Sequence, residues 1–434
     1  MDCDAEAGRV KTIVGIGLGP ANLSLAALIE GSVAGAPLRD SCLFLETDRN
    51  FNWHNGQLFP GSRMQNSFVR DLVSLVDPTN RLSFLSFLKS HGRLLQFLNS
   101  GLFFPTREEF VQYFEWVASE VPTIRFGTAV TSVSFDEEGS FFEVLYERDG
   151  RQERAHCKNV VVGTGLEPAG PPFKGVPGEQ CCHVSEFLIQ RPSLSGKSVA
   201  IIGAAQSAAE LLDYILGLDR LPDEITWVTR GSNFRQLDTG NFSREFYTPG
   251  YGTRFYAISE EAKRQILIRE GGAEHGISPG LLESLYQRLY LLRHVVNEGP
   301  RIRLVPGTEV REVDARSDLV RLDCYSWVRG TRLTLTADHT VLCTGFRLPR
   351  LEILRPLEKF GLRTTPPHEV SENYSLKWDG PQNRRVFVQS LGRKSHGLAD
   401  PNFTMVSHRN AVIANAIAGS SLFKVDHDDV LADW

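Results

Sequence analysis

The run Lys11-Thr12-Ile13-Val14-Gly15-Ile16-Gly17-Leu18-Gly19-Pro20-Ala21-Asn22 decides the fold class. A β-branched segment ends in a glycine-marked turn, and an apolar stretch, Leu23-Ser24-Leu25-Ala26-Ala27-Leu28, continues it as a helix. A strand feeding such a turn aims backbone N–H groups and a helix N-terminus at a pyrophosphate. Within the pattern G-x-G-x-x-G, Gly17 makes the tight turn and Gly19 lets the backbone approach phosphate, while Asn22 replaces the third glycine. The next strand, Cys42-Leu43-Phe44-Leu45, ends at Glu46, whose carboxylate suits a ribose diol. A glycine-rich turn with no ligand is the alternative for this segment alone.

A second strand, Ser198 to Ile202, opens Gly203-Ala204-Ala205-Gln206-Ser207-Ala208. Only one glycine remains there, and Ala205 would hold phosphate slightly further off. The following strand, Ile225 to Thr229, ends in Arg230 where an NAD enzyme usually shows an acid. A guanidinium at that position matches a 2′-phosphate, which points to NADPH. An exposed arginine at a strand end is the alternative. Two ordered turns in one chain imply two dinucleotides, one flavin and one nicotinamide. Two more apolar strands, Lys158 to Gly165 and Thr340 to Phe346, end in Thr-Gly (Thr344 and Gly345 in the second) and read as returns to the flavin.

The fold class is therefore α/β, with two Rossmann-like dinucleotide-binding domains, for FAD and NADPH, and a small, mainly helical substrate insertion. The FAD domain is expected at 1–172 and 342–434, the NADPH domain at 173–238 and 300–341, and the insertion at 239–299. Glu167 to Pro177 reads as a linker. Residues 122–160 and 300–340 read as short strands suited to small antiparallel sheets.

The 434 residues suffice for two or three domains. A net charge of −5, with no local Lys/Arg cluster, gives no case for nucleic acid. The acidic start, Met1 to Glu6, is no secretory signal, and no apolar run nears the roughly 20 residues that span a bilayer. A cytoplasmic protein with reduced thiols and no stable membrane insertion is expected. The seven cysteines include no Cys-x-x-Cys, which argues against a flavin disulfide reductase. There is no metal-ligand spacing, nucleophile elbow or paired-carboxylate motif.

Between the first turn and residue 118 lie Phe51-Asn52-Trp53-His54-Asn55-Gly56, the run Met64 to Val73, Asp77-Pro78-Thr79-Asn80, and Phe104 to Phe110. With Gly17-x-Gly19-Pro20, Gln206-Ser207-Ala208-Ala209-Glu210 and Ser395 to Pro401, these resemble the microbial lysine/ornithine N-hydroxylases of siderophore pathways nearly end to end. Asp238 to Pro249 and Gly276-Ile277-Ser278 fit the aerobactin-type lysine branch better than the ornithine branch.

The resemblance implies a flavin monooxygenase in which NADPH reduces FAD, O2 adds to give a C4a-hydroperoxyflavin, and a neutral primary amine attacks its distal oxygen. It puts Gln65 against the flavin as a residue shaping the reaction, a loop-satisfying buried glutamine being the alternative. It puts Arg70 where relatives hold the substrate carboxylate, the rival being an ion pair with Asp71. Arg244 falls where ornithine enzymes place a substrate-binding Asn, Gly276 replaces another, and Thr404 borders the substrate. Gly17, Gly19, Pro20, Asn22, Glu46, Trp53, His54 and His396 fall to FAD, with Thr344 and Gly345 at the returning strand. Gly203, Gln206, Ser207 and Arg230 fall to NADPH. A core Trp, a hydrogen-bonded His54, a helix-capping Ser207 and a loop-stabilising His396 are the plainer readings. Lysine is the expected substrate, then ornithine, then a diamine such as putrescine or cadaverine; a non-catalytic flavin-binding protein is the remaining alternative. Relatives of this kind are dimers or tetramers, so a homo-oligomer is expected.

Overall fold

Strands β1 (Lys11–Ile16) and β2 (Cys42–Leu45) pair in parallel, with Ile13 opposite Cys42 and Ile16 opposite Leu45. Both are nearly continuous apolar runs, the pattern of strands covered on both faces. A computed structural model describes residues 9–174, 178, 180–296, 299–425 and 431. The acidic start and positions 175–177 of the linker lie outside the described residues.

The first sheet is seven-stranded. Its order is β3 (Ile124–Arg125), β2, β1, β6 (Arg151–Val162), β5 (Phe141–Arg148), β4 (Thr128–Asp136). The long strand β6 changes partner along its length. Its first part runs antiparallel to β5, while Asn159–Val162 lies parallel to β1 on one edge and to β15 (Arg385–Val388) on the other. The chain thus leaves this sheet, builds the rest of the molecule, and comes back. Helix α1 (Pro20–Gly31) covers the sheet beside α7 (Val406–Ala418). Aromatic rings of α2 (Arg107–Glu120) fill the adjoining core, Phe110 lying 4.9 Å from Phe84 and Phe114 5.7 Å from Phe51.

The second sheet is five-stranded and wholly parallel, in the order β10 (Arg301–Val305), β9 (Glu224–Val228), β8 (Ser198–Ile202), β14 (His339–Leu342), β7 (Cys181–His183). Helix α3 (Gln206–Leu216) follows β8. Between β9 and β10 come helices α4 (Pro249–Ala257), α5 (Glu260–Arg269) and α6 (Pro279–Leu291). A smaller sheet of β11 (Thr308–Asp314), β12 (Val320–Ser326) and β13 (Thr331–Ala337) is antiparallel, with Phe173–Lys174 added along β11. Segment 300–340 is therefore not one antiparallel sheet: its first and last strands, β10 and β14, join the parallel one. Short apolar runs carry no signature of strand direction, and the partners β8 and β9 decide it. No helix of the described residues is long and apolar enough to cross a membrane.

Candidate active site

The first turn sits at the carboxyl ends of β1 and β6, where open parallel sheets bind ligands. Gly17 has φ +78°, and a Cβ there would stand 2.7 Å from the Gly163 carbonyl oxygen. A Cβ at Gly19 would meet nothing within 4 Å. That open space above the start of α1, with Pro20 in the first turn of the helix, is where a pyrophosphate could approach the backbone. The Glu46 carboxylate follows β2 and accepts from Leu18 N (2.5 Å) and Asp48 N (2.9 Å), which fixes it beside the turn. These groups fit the dinucleotide part of FAD.

Asn22 is a correction. Its side chain has no exposure; Nδ2 donates to Gly17 O (2.7 Å), Val161 O (3.2 Å) and Ile16 O (3.3 Å), and Oδ1 accepts from Gln389 Nε2 (3.2 Å). It is an internal staple, and its side chain cannot reach a cofactor. A Cβ at Gly163 would collide with Asn22, so the close helix–strand approach is achieved by a glycine on the strand side.

At the second turn Gly203 has φ +127°, and a Cβ there would strike the Cys343 carbonyl; Trp227 Nε1 donates to Gly203 O (2.6 Å). This glycine serves packing. Ala205, not Ser207, is the N-cap of α3, which removes the capping role considered for Ser207. Arg230 follows β9 and Thr229 with its side chain exposed, while its backbone oxygen accepts from Trp327 Nε1 (2.8 Å). Thr344 and Gly345 are also corrected. They follow β14 in the second sheet, beside the Gly203 turn, and not beside the first. The Thr344 hydroxyl donates to Ala169 O, and Gly345 O accepts from Ala169 N (2.9 Å), so the pair ties down the connector between sheets.

A cavity of about 920 Å³ opens between the first sheet's loops, α3, the helical segment and the loop before α7. It gathers Gln65, Arg70, Gln206, Arg244 and Thr404. Gln65 is exposed onto it, which sets aside a buried glutamine satisfying its own loop. The Arg70–Asp71 ion pair is also set aside. Asp71 is buried and turned inward, accepting from Val73 N (2.9 Å), Ser74 N (2.7 Å) and Phe84 N (2.7 Å). Arg70 instead points Nη1 at Thr404 Oγ1 (3.5 Å), and that hydroxyl donates to Asn66 Oδ1 (2.7 Å). Burial, and then the Arg244 guanidinium, push the Arg70 pKa down. Two cations thus face one another across the same space.

The acids of the cavity are already engaged. Glu210 is held by Arg107 Nη1 (2.9 Å) and Gln206 Nε2 (2.8 Å), and Glu274 by Arg393 Nε (2.9 Å). Asp213 pairs with Arg288 (3.2 Å), and Asp238 accepts from Ser243 Oγ (2.5 Å) and Gly240 N (2.9 Å). Gln206 Oε1 accepts from Ser278 N (2.8 Å) at the start of α6. A Cβ at Gly276 would run into the Leu237 backbone, so no side chain stands at that position.

Trp53 and His54 are not among the residues lining the large cavity. His54 has φ +58°, and Nδ1 lies 2.7 Å from Gln57 Nε2. Burial, and then Arg107, lower its pKa to about 4, so the ring is neutral. Trp53 packs on His54 (4.4 Å) and Phe114 (5.4 Å). His396 is a correction: it is buried away from the large cavity, against a smaller one of about 470 Å³. It stacks on Tyr374 (4.1 Å), with Nδ1 2.9 Å from Ser395 Oγ and Nε2 3.1 Å from Glu372 O. One ring nitrogen serves its own loop and the other ties that loop to Glu372. The sequence reading missed Asn66, Arg107 and Asp238. All three lie inside the runs Met64 to Val73, Phe104 to Phe110 and Asp238 to Pro249, but nothing in those runs tells which side chains face the cavity or brace it.

A mixed sheet and a parallel one, each with a glycine turn at the carboxyl ends of its parallel strands and with a cavity between them, define a flavoprotein of the two-dinucleotide class. The family model for L-lysine 6-monooxygenase/L-ornithine 5-monooxygenase matches residues 9–348. The Escherichia coli L-lysine N6-monooxygenase is 33% identical, with 97% of each chain covered. The FAD-bound cadaverine monooxygenase of the Erwinia amylovora desferrioxamine pathway superposes with TM-score 0.90 at 26% identity, covering 98% of this chain and 99% of that one. The Kutzneria ornithine N-hydroxylase, solved with reduced FAD, NADP+ and L-ornithine, gives 0.87 at 27%, covering 95% and 99%. The chain belongs to the lysine/ornithine N-monooxygenase family and uses FAD and NADPH.

Proposed function

We propose that this flavin-dependent N-hydroxylating enzyme acts on the side-chain amine of L-lysine, giving N6-hydroxylysine for a hydroxamate siderophore or a related product. The carrying observation is the pair of guanidiniums, Arg70 and Arg244, facing one cavity in which three of the four acids are paired with other arginines. An excess of positive charge suits a substrate carboxylate, which Arg can take with two parallel hydrogen bonds. It also disfavours the second ammonium of a diamine. The backbone-crowded Gly276 leaves no side chain for a second amide contact, which speaks for lysine over ornithine.

FAD, reduced by NADPH, supplies the activation of O2 at this site. The protein's part is to place the amine, exclude water and keep the nitrogen uncharged. A free lysine amine has a pKa of about 10.4, so a desolvated cavity must favour its neutral form. In this reading Arg70, beside the Thr404 hydroxyl that Asn66 holds, anchors the carboxylate end, and Gln65 faces the reacting end. Glu46 and the Gly17–Gly19 turn hold the flavin nucleotide. Gln206, Ser207 and Arg230 hold NADPH.

A diamine is the second reading, supported by Asp238 on the cavity wall, which only neutral donors engage, and by the cadaverine enzyme among the structural neighbours. The test is hydroxylamine formation with NADPH across lysine, ornithine, cadaverine and putrescine. Turnover restricted to a diamine would overturn the lysine reading.

A further inference from the structure

The buried polar chain beneath the first dinucleotide turn has no place in the chemistry described so far. It starts at Gly17 O, which accepts from Asn22 Nδ2 (2.7 Å). Asn22 Oδ1 accepts from Gln389 Nε2 (3.2 Å), and Gln389 Oε1 accepts from Arg409 Nε (2.8 Å). Arg409 Nη1 then meets Asp400 Oδ1 (3.0 Å), and Asp400 Oδ2 accepts from Gly392 N (2.7 Å). Asn410 braces the chain from the side, accepting from Gln389 Nε2 (2.7 Å) and donating to Ala21 O (2.8 Å). Asn22, Gln389, Asp400, Arg409 and Asn410 are each 3% exposed or less.

Its two ends have different functions. One end is the glycine turn at the flavin nucleotide. The other is the 391–405 loop, in which Asp400 lies between Leu398 and Pro401, both on the large cavity, as are Asn402 and Thr404. Gln389 follows β15 at the same edge of the sheet as the turn, its N–H donating to Val162 O (2.9 Å). The next residue, Ser390, is held at φ +60°, a conformation a non-glycine residue keeps only where its surroundings impose it. A buried pair such as Arg409–Asp400 cannot lose one partner without leaving an uncompensated charge. Breaking the chain at any one link leaves a buried polar group unsatisfied, which couples its two ends.

We propose that Gln389 and Arg409 are positioning residues that transmit the state of the flavin turn to the 391–405 loop, so that the wall of the amine cavity is set when the cofactor binds. Asn22 stands where a glycine is usual because the turn needs a side chain that reports inward. The inference is independent of which amine is hydroxylated.

Hydrogen–deuterium exchange on the full-length protein, with and without saturating FAD, tests it. In the unaltered protein FAD should slow exchange in both the 17–24 and 391–405 segments, by about tenfold in the loop. In Gln389→Leu, with FAD occupancy checked by visible absorbance, the turn should stay protected while loop protection falls below about threefold. Gln389→Glu, which keeps the acceptor for Arg409 and loses the donors to Asn22 and Asn410, should behave the same. Equal loop protection in variant and parent would mean direct contact between flavin and loop, and overturns the proposal. So does an unprotected loop in the unaltered protein, or failure of both variants to fold, which would make the chain a stability element only.

Discussion

Removing the Arg70 side chain separates carboxylate recognition from every other role of the cavity. Arg70 is half-buried and makes a long contact to Thr404 Oγ1 at 3.5 Å. That hydroxyl keeps Asn66 at 2.7 Å when Arg70 is gone, so Arg70→Ala leaves no buried group unsatisfied. Folding stability and FAD content should hardly change. A charge-assisted hydrogen bond to a carboxylate contributes about 1.5–3 kcal/mol. At about 1.4 kcal/mol per tenfold, KM for L-lysine should rise by roughly tenfold to a hundredfold. Loss of the neighbouring cation also relieves repulsion on a second ammonium, so KM for cadaverine should stay level or fall. Arg70→Lys keeps the charge and loses the two-pronged donor, and should lie between. The assay is steady-state hydroxylamine formation with both substrates at saturating NADPH and O2. Equal rises for lysine and cadaverine, or an unchanged lysine KM, would refute carboxylate binding by Arg70.

Arg230→Ala should narrow the preference for NADPH over NADH, read as the ratio of their kcat/KM values; an unchanged ratio refutes the 2′-phosphate contact. Gly276→Asn should not create an ornithine enzyme. Its Cβ meets the Leu237 backbone, so the turn must shift, and a lower Tm without faster ornithine turnover is expected. Glu210→Ala leaves Arg107 largely buried and unpaired, so it should destabilise more than the double variant with Arg107→Ala; additivity of the two single losses would show that the 2.9 Å pair contributes nothing. His54 gives a pH signature. Its folded pKa, lowered to about 4, lies below the ordinary 6.5, so the unfolded chain binds the proton first. Its contribution is complete above pH 6.5 and is lost as pH falls toward 4, by at most about 3 kcal/mol. His54→Gln should flatten the fall of Tm across that window, and an identical slope would remove His54 as its source.

The alternation of strand, turn and helix was legible because β1 and β8 are buried on both faces and their turns need glycine for steric reasons. What neighbouring residues do with their side chains was not. Arg70 and Asp71 are adjacent in the chain, yet one faces the cavity and the other caps backbone N–H groups in the core. The His396 ring could not be assigned from the motif around it, because Tyr374 and Glu372 O, which fix it, come from a distant loop. Cavity membership is likewise tertiary. Gln65, Gln206, Arg244 and Thr404 come from four separate stretches of chain, and Thr404 joins the others where the chain runs on from β15 back in the first sheet.

The two dinucleotide turns depart from the glycine pattern for opposite reasons. At the first, the third glycine is replaced by Asn22, and the space it needs is provided by Gly163 across the strand, so the approach to phosphate at Gly19 is untouched. At the second, the surviving Gly203 is demanded by the Cys343 carbonyl, and the position nearest phosphate has become Ala205. Letters counted against a fingerprint rank the second turn as the eroded one, and the geometry explains the ranking. The first turn keeps an open backbone at Gly19. Under the proposed NADPH reading, the second turn offers Ala205 and an exposed cation at Arg230, so charge would carry more of the recognition there. NADPH affinity should therefore be the more salt-sensitive of the two, since exposed charge pairs are screened and buried backbone donors are not.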